Sequence, residues 1–467
     1  MEKKKDVTYE LIKYAIDTKY ESLPSYVVEK TKMLILDTLG CCIAGSSAFG
    51  VKEIVELLNK WGGEKESTIL VYGYRCPAPS AAFANSVMTH ARDLEDTQDV
   101  AVIHCTTPVL PAALAIAESE SASGKDLITA VALGVDILCR TGLASPMPQL
   151  KGWFHTTTLG CFAASVAASK ILGLNENQMI NAGGISYSQF AGNQQCLEER
   201  TLAKRIQPAF AARTGVFSAL LAKRGITGPK NFLEGKYGFY NLYLDGKYNR
   251  DIIIDSLGKK FEIPNLSMKY YPSCRGTSAS IDVALSLLQE NNIKADQIKK
   301  VLVYVTPLTN SLVGKPYEIG ENPQVDAQFS IPYTVARAFI KGDVFIDAFE
   351  DEAVRDIMTL KLAKKVKVVV NFDVEKSRSF LPLKMEVKME DGTVYRGEAD
   401  TIKGSPQNPM SREECIEKFN KCVSFAINPI STEARKNVVH MVDLLEELDD
   451  VNKLIEPLRG YVENRKV

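Results

Sequence analysis

The chain has 467 residues, of which 45% are hydrophobic and 24% charged, an ordinary globular composition of two- or three-domain size. Lys plus Arg total 56 against 57 for Asp plus Glu, a formal net charge of −1. That balance supplies no bulk attraction for nucleic acid or an anionic membrane, so neither is expected as a partner.

The N-terminal stretch MEKKKDVTYELIKYAIDTKY meets Asp6, Glu10 and Asp17 before any apolar run, which predicts no signal peptide. No apolar run reaches the length of a bilayer span. Tyr26–Gly45 carries apolar residues near helical period, as do Ser80–Asp93, Val109–Glu120 and Asp126–Arg140, and each is expected to be a helix. Leu159–Leu172 is crowded with Ala, Ser and Gly, which let helix axes approach closely, so it reads as a buried central helix. Ala209–Arg224 is another, stopped by ITGP at 226–229. After Pro264 the texture changes. Arg275–Gln289 and Gln328–Lys341 read as helices, while Lys299–Val305, Lys365–Asn371, Leu383–Lys388 and Val394–Glu398 read as strands. The last two bracket Glu390–Thr393, whose Asp-Gly signals a hairpin. From Ser411, with Glu414 completing a capping box, the chain returns to helix. The expected architecture is mainly α: a large all-helical domain over 1–266, completed by 405–467, and a smaller α+β lid domain over 267–404.

The ten cysteines are scattered without a C-x-x-C pair, which predicts reduced thiols in a cytoplasmic protein and no structural metal site. Dinucleotide, P-loop, serine-hydrolase and zinc-protease signatures are absent. Of four histidines, His90 opens HARDLEDT, His104 lies in VIHCTTP and His155 in KGWFHTTTLG. Imidazoles in such polar settings suit general acid/base work, although a helix-start histidine is as often a cap or a satisfied core group. On a helix, His90, Asp93 and Thr97 fall on one face by i, i+3 and i+4 spacing, with Asp96 close by. Lys204 and Arg205 precede Pro208, where a helix is expected to begin, and Lys269 and Arg275 flank a Pro-Ser turn. Cations at helix N-termini suit carboxylate or phosphate binding, whereas the bland alternative is a solvated basic face. Cys274 has no histidine nearby in sequence and is a weak candidate nucleophile.

The ordered blocks LDTLGCCIAGS (36–46), ANSVMTHARDLEDT (84–97), HCTTPVLPAALAIAE (104–118), GWFHTTTLGCFAA (152–164), the 198–229 segment, KYYPSCRGT (269–277) and QFSIPYTVARAFIKGD (328–343) together resemble the MmgE/PrpD family. The resemblance implies a helical domain capped by an α+β lid, a homodimer, and an active site at the domain junction needing no metal or organic cofactor. Carried onto this sequence, it implies a pocket of Asp93, Thr97, His104, His155, Lys204 and Lys269, with Tyr317 the nearest candidate for a lid tyrosine. His104 and His155 are then the expected acid/base pair, tuned by Asp93. Lys204 and Lys269 would bind carboxylates, with Arg275 and Thr97 assisting.

The implied activity is that of a lyase acting on a small di- or tricarboxylic acid, with dehydration of a 2-methylcitrate-like acid placed first. Decarboxylation of cis-aconitate and epimerisation of an iminodisuccinate-like acid are the alternatives, and a non-catalytic acid-binding protein is the reading from another class. Classical 2-methylcitrate dehydratases carry a His-Pro-Ser-Asp-Asn-like stretch where this chain has HCTTP, and family members often have His where Gln207 and Thr277 stand. These departures weigh against 2-methylcitrate in particular.

Overall fold

A computed structural model describes residues 5–145, 151–371 and 379–460. Its first part is built of helices, including Ser25–Gly45, Ala78–Ala91, Thr106–Ser119, Gly124–Leu143, His155–Ile171, Glu176–Tyr187 and Ala203–Lys223. The last of these packs against His155–Ile171, Ala78–Ala91, Glu176–Tyr187 and Thr106–Ser119. Glycine makes the closest of these contacts possible. A Cβ placed on Gly215 would lie 2.4 Å from the Ala164 Cβ, inside the contact distance of two carbons.

The expected helices from Val109, Leu159 and Ala209 each begin earlier, at Thr106, His155 and Ala203. Pro108 lies in the first turn of its helix, where a backbone N–H would have no helical partner, so proline costs little there. Pro208 lies further inside, so Lys204 and Arg205 belong to the first turn of their helix rather than to the segment before it. The expected helix 328–341 is two helices, Pro323–Gln328 and Ile331–Lys341. Ser330 separates them and caps the second by accepting from the Tyr333 N–H at 3.2 Å.

The strand set forms one four-stranded sheet in the order Val366–Val370, Ile298–Val305, Leu383–Met389, Val394–Ala399. Ile298–Val305 runs parallel to Val366–Val370 and antiparallel to Leu383–Met389. The parallel pair needs a long crossover, and the helices between 307 and 365 supply it. Gly392, at φ +93°, turns the final hairpin as its Asp-Gly signal requires. Helices Arg275–Asn291 and Ile331–Lys341 pack on each other and on the sheet's two edge strands.

Buried apolar side chains gather into one large cluster, drawing on 7–268 and again on 410–458, and a second over 271–402. The chain therefore returns to its first core at the end. Helix Arg412–Val423, opened by the Ser411–Glu414 capping box, lies on Ser25–Gly45. A buried ion pair, Lys418 Nζ to Asp37 Oδ1 at 2.5 Å, fastens that contact, and Lys418 also donates to the Leu94 carbonyl at 2.9 Å. Lys418→Met leaves the Asp37 carboxylate buried without its cation. The expected loss is about 3–5 kcal/mol in chemical denaturation, and adding Asp37→Asn should recover much of it. Equal stability of the single and double variants would contradict this account.

Candidate active site

Helix Ala78–Ala91 ends one residue after His90. Asp93 then adopts φ +53°, a left-handed conformation that Asp tolerates better than most side chains. The turn there breaks the expected helical face, so His90, Asp93 and Thr97 are brought together by a loop and not by helical spacing. Two contacts hold the loop. Asp96 accepts from the Cys105 N–H at 3.2 Å and the Thr106 N–H at 3.1 Å, and also from the Thr106 hydroxyl, at the start of helix Thr106–Ser119. Thr97 and Ser267 exchange backbone hydrogen bonds of 2.9 and 2.8 Å. The segments around 93, 104 and 269 thus meet although they are far apart in sequence.

Asp93 is the centre of charge. Lys269 Nζ lies 2.7 Å from its Oδ1 and Lys204 Nζ 3.0 Å from its Oδ2, with His104 Nε2 3.7 Å from Oδ1. Burial alone would push this carboxyl upward, but the two ammonium groups outweigh it and hold Asp93 far below the ordinary carboxylate range. The ammonium groups differ in what they have left to offer. Lys269 is fully buried and donates to Asp93 Oδ1, the Asp93 carbonyl and the Ser273 carbonyl. All three of its protons are engaged in holding the turn. Lys204 faces the ring of Phe329 at 5.1 Å and has no aligned hydrogen-bond partner, so its donors stay free for an anion.

A cavity opens beside this group, with Asp93, Thr97, Val102, His104, Phe154, Lys204, Arg275 and Phe329 among its lining residues. His104, Lys204, Asp93, Thr97 and Arg275 are therefore gathered on one cavity, whereas His155, Lys269 and Tyr317 are not among its lining residues. Arg275 is held by Asp99 at 3.1 Å, by the Lys403 carbonyl and by the Ser267 hydroxyl, while Thr97 donates to Asp99 at 2.6 Å. Cys274 lines the cavity as a half-buried thiol pushed up by desolvation, the opposite of an activated nucleophile.

Lys269 sits behind Asp93. His155 follows the lining residue Phe154, with Nδ1 3.0 Å from the Thr158 hydroxyl and Nε2 buried without a partner. Its helix reaches the site through Thr156, which accepts from the His104 N–H at 3.1 Å. Tyr317 is outside the lining and donates to the Val354 carbonyl at 3.3 Å. Residue-by-residue reading missed Glu95 and Asp99. The run of acids in HARDLEDTQD was visible, but nothing local indicated which of them meets a base.

His90, Asp93, Glu95 and His104 bring nitrogen and oxygen donors within 4.8 Å of one another. A divalent cation ligated by Asp93 would have to compete with the two ammonium groups already on that carboxylate.

Comparisons with known proteins agree with the sequence blocks. The MmgE/PrpD N-terminal domain model matches residues 9–251, and the MmgE/PrpD C-terminal domain model matches 271–444. The cis-aconitate decarboxylase-like protein oryM of Aspergillus oryzae is 27% identical over 97% of this chain and 98% of its own. The cis-aconitate decarboxylase of Aspergillus terreus is 26% identical over 99% of this chain and 97% of its own. The human cis-aconitate decarboxylase is 27% identical over 94% and 91%.

Buried titrating groups make stability depend on pH in opposing senses. Burial lowers His90 to about 4 and His155 to about 3 from 6.5. As pH falls below 6.5, the unfolded chain takes up protons that these folded rings refuse, so each costs up to about 1.4 kcal/mol per pH unit. Burial raises Asp96 to about 6 from 3.8, so between these values it favours the folded state as pH falls. His155→Gln should therefore flatten the decline in apparent Tm from pH 7 to 5, and Asp96→Asn should steepen it. Parallel Tm-against-pH curves for the wild type and both variants would contradict these assignments.

Proposed function

Because this chain belongs to the MmgE/PrpD family, we propose that the cluster around Asp93 is the active site of a lyase acting on a small polycarboxylic acid, and that its reaction is decarboxylation of a cis-aconitate-like substrate. The observation that carries this reading is His104 and Lys204 on one cavity wall, with Arg275 beside them. An ammonium with unused donors and a guanidinium suit an anion bearing several carboxylates.

Loss of carbon dioxide breaks a C–C bond and leaves its electron pair on carbon, spread onto a neighbouring carboxylate. Lys204 and Arg275 meet that developing charge, and His104 delivers the proton that quenches it at carbon. Lys269 keeps Asp93 ionised and in place. His155 stands one residue from the cavity lining, as the second imidazole the family resemblance implies. The reaction needs no redox partner. The similar proteins named decarboxylases, together with HCTTP in place of the dehydratase stretch, favour decarboxylation over dehydration.

Incubation with cis-aconitate, 2-methylcitrate, citrate and iminodisuccinate, followed by NMR, separates the chemistries. Expected from cis-aconitate are carbon dioxide and a five-carbon unsaturated dicarboxylate. Lys204→Ala and His104→Ala should each lower kcat/KM at least about 100-fold. Dialysis against EDTA should leave turnover unchanged. Water loss from 2-methylcitrate or stereochemical exchange of iminodisuccinate would reassign the reaction. Binding of an acid without turnover would mark a sensor, and silence on all four would overturn the substrate class.

A further inference from the structure

The chemistry above leaves unused a carboxylate directly behind His104. Glu95 is fully buried, and its Oε1 faces three groups. His104 Nδ1 lies 3.0 Å away, the Thr107 hydroxyl donates to it at 3.0 Å, and His90 Nδ1 is in short contact with it. Its Oε2 has no partner. We propose that Glu95 is a positioning residue for His104, with His90 as its second anchor, so that His104 enters the reaction with Nδ1 protonated and Nε2 turned to the cavity.

Burial would raise the Glu95 carboxyl, but the two imidazoles outweigh it and hold it well below its ordinary range. Glu95 is therefore ionised and able only to accept. His90 is a neutral ring carrying one proton, since burial lowers it to about 4. Facing a carboxylate, it must place that proton on Nδ1, which agrees with its Nε2 being buried and unpartnered. For the His104 ring in its neutral form, the geometry decides which nitrogen carries the proton. At 3.0 Å a lone pair on its Nδ1 would face the lone pairs of Oε1; that contact is not aligned as a hydrogen bond, and no other group bonds to this nitrogen. Its proton therefore belongs on Nδ1.

The rings of His90 and His104 meet edge to face, 4.7 Å apart at 76°. This packing fixes the plane of the catalytic ring as well as its tautomer. Thr107, in the first turn of helix Thr106–Ser119, donates to the same carboxylate oxygen at 3.0 Å. In turnover Nε2 takes up a second proton from solvent in the cavity and gives it to the substrate carbon, which returns His104 to the neutral ring. The Nδ1 proton stays, and Glu95 remains ionised throughout, as an orienting carboxylate does.

The kinetic arm of the test rests on the polycarboxylate reading; the spectroscopic arm does not. With only four histidines in the chain, selective nitrogen-15 labelling of the full-length protein resolves each ring, and His104→Asn and His90→Asn assign the signals. The wild type should show His104 protonated at Nδ1, and Glu95→Ala should transfer that proton to Nε2. Glu95→Gln, which preserves volume, guards against a folding failure and should give a mixture of the two tautomers. Glu95→Ala should lower kcat about 100-fold with KM changed less than threefold, and Glu95→Gln should retain part of the rate. An Nε2-protonated His104 in the wild type, a tautomer unchanged in both variants, or a kcat within threefold of wild type would overturn the proposal. If the tautomer moves as expected while no acid is turned over, the positioning role stands and the substrate reading fails.

Discussion

A single carboxylate between two ammonium groups organises this molecule. Asp93 occupies a left-handed turn immediately after a helix, with Lys269 bonded to both its side chain and its carbonyl. A buried carboxylate without cations would protonate or unfold its surroundings. With Lys204 and Lys269 beside it, Asp93 remains charged in the interior. The turn it makes then determines where Glu95, Asp96 and Thr97 point. Each reaches a different neighbour: an imidazole pair, the start of helix Thr106–Ser119, and the strand-like segment at Ser267. One ion triad thus fixes both the shape of the loop and the charge pattern of the cavity.

The two lysines show how the same residue type takes different roles by location. Lys269 approaches from the segment after the first core and has every donor occupied by protein oxygen. Lys204 approaches from the first turn of a long helix and has only its ion pair and an aromatic face. An anion that displaced Asp93 at Lys204 would break no aligned hydrogen bond. At Lys269 it would have to dismantle the turn. The geometry therefore separates an ammonium that builds the site from one that can serve an anion.

Much of the site was legible in the sequence because its residues sit in unusual local settings. His104 and Arg275 stand among Pro, Ser, Thr and Cys rather than among other charges, Lys204 stands beside Arg205 ahead of Pro208, and all three line the cavity. His155 stood out in the same way, yet its Nδ1 faces the hydroxyl of Thr158 on its own helix. Tyr317, the weakest assignment, bonds to a backbone carbonyl away from the lining. Glu95 was passed over because four acids fall between 93 and 99 and none is distinguished by its neighbours.

By itself the sequence determined the local grammar of the chain. Helical periodicity, the Asp-Gly hairpin and the Ser411–Glu414 capping box depend on residues a few positions apart, and each appears in the structure. Tertiary structure decided which acid meets which base. Asp93 finds Lys269 across 176 residues, a pairing that no propensity encodes, because desolvation and charge act through space once the core has closed.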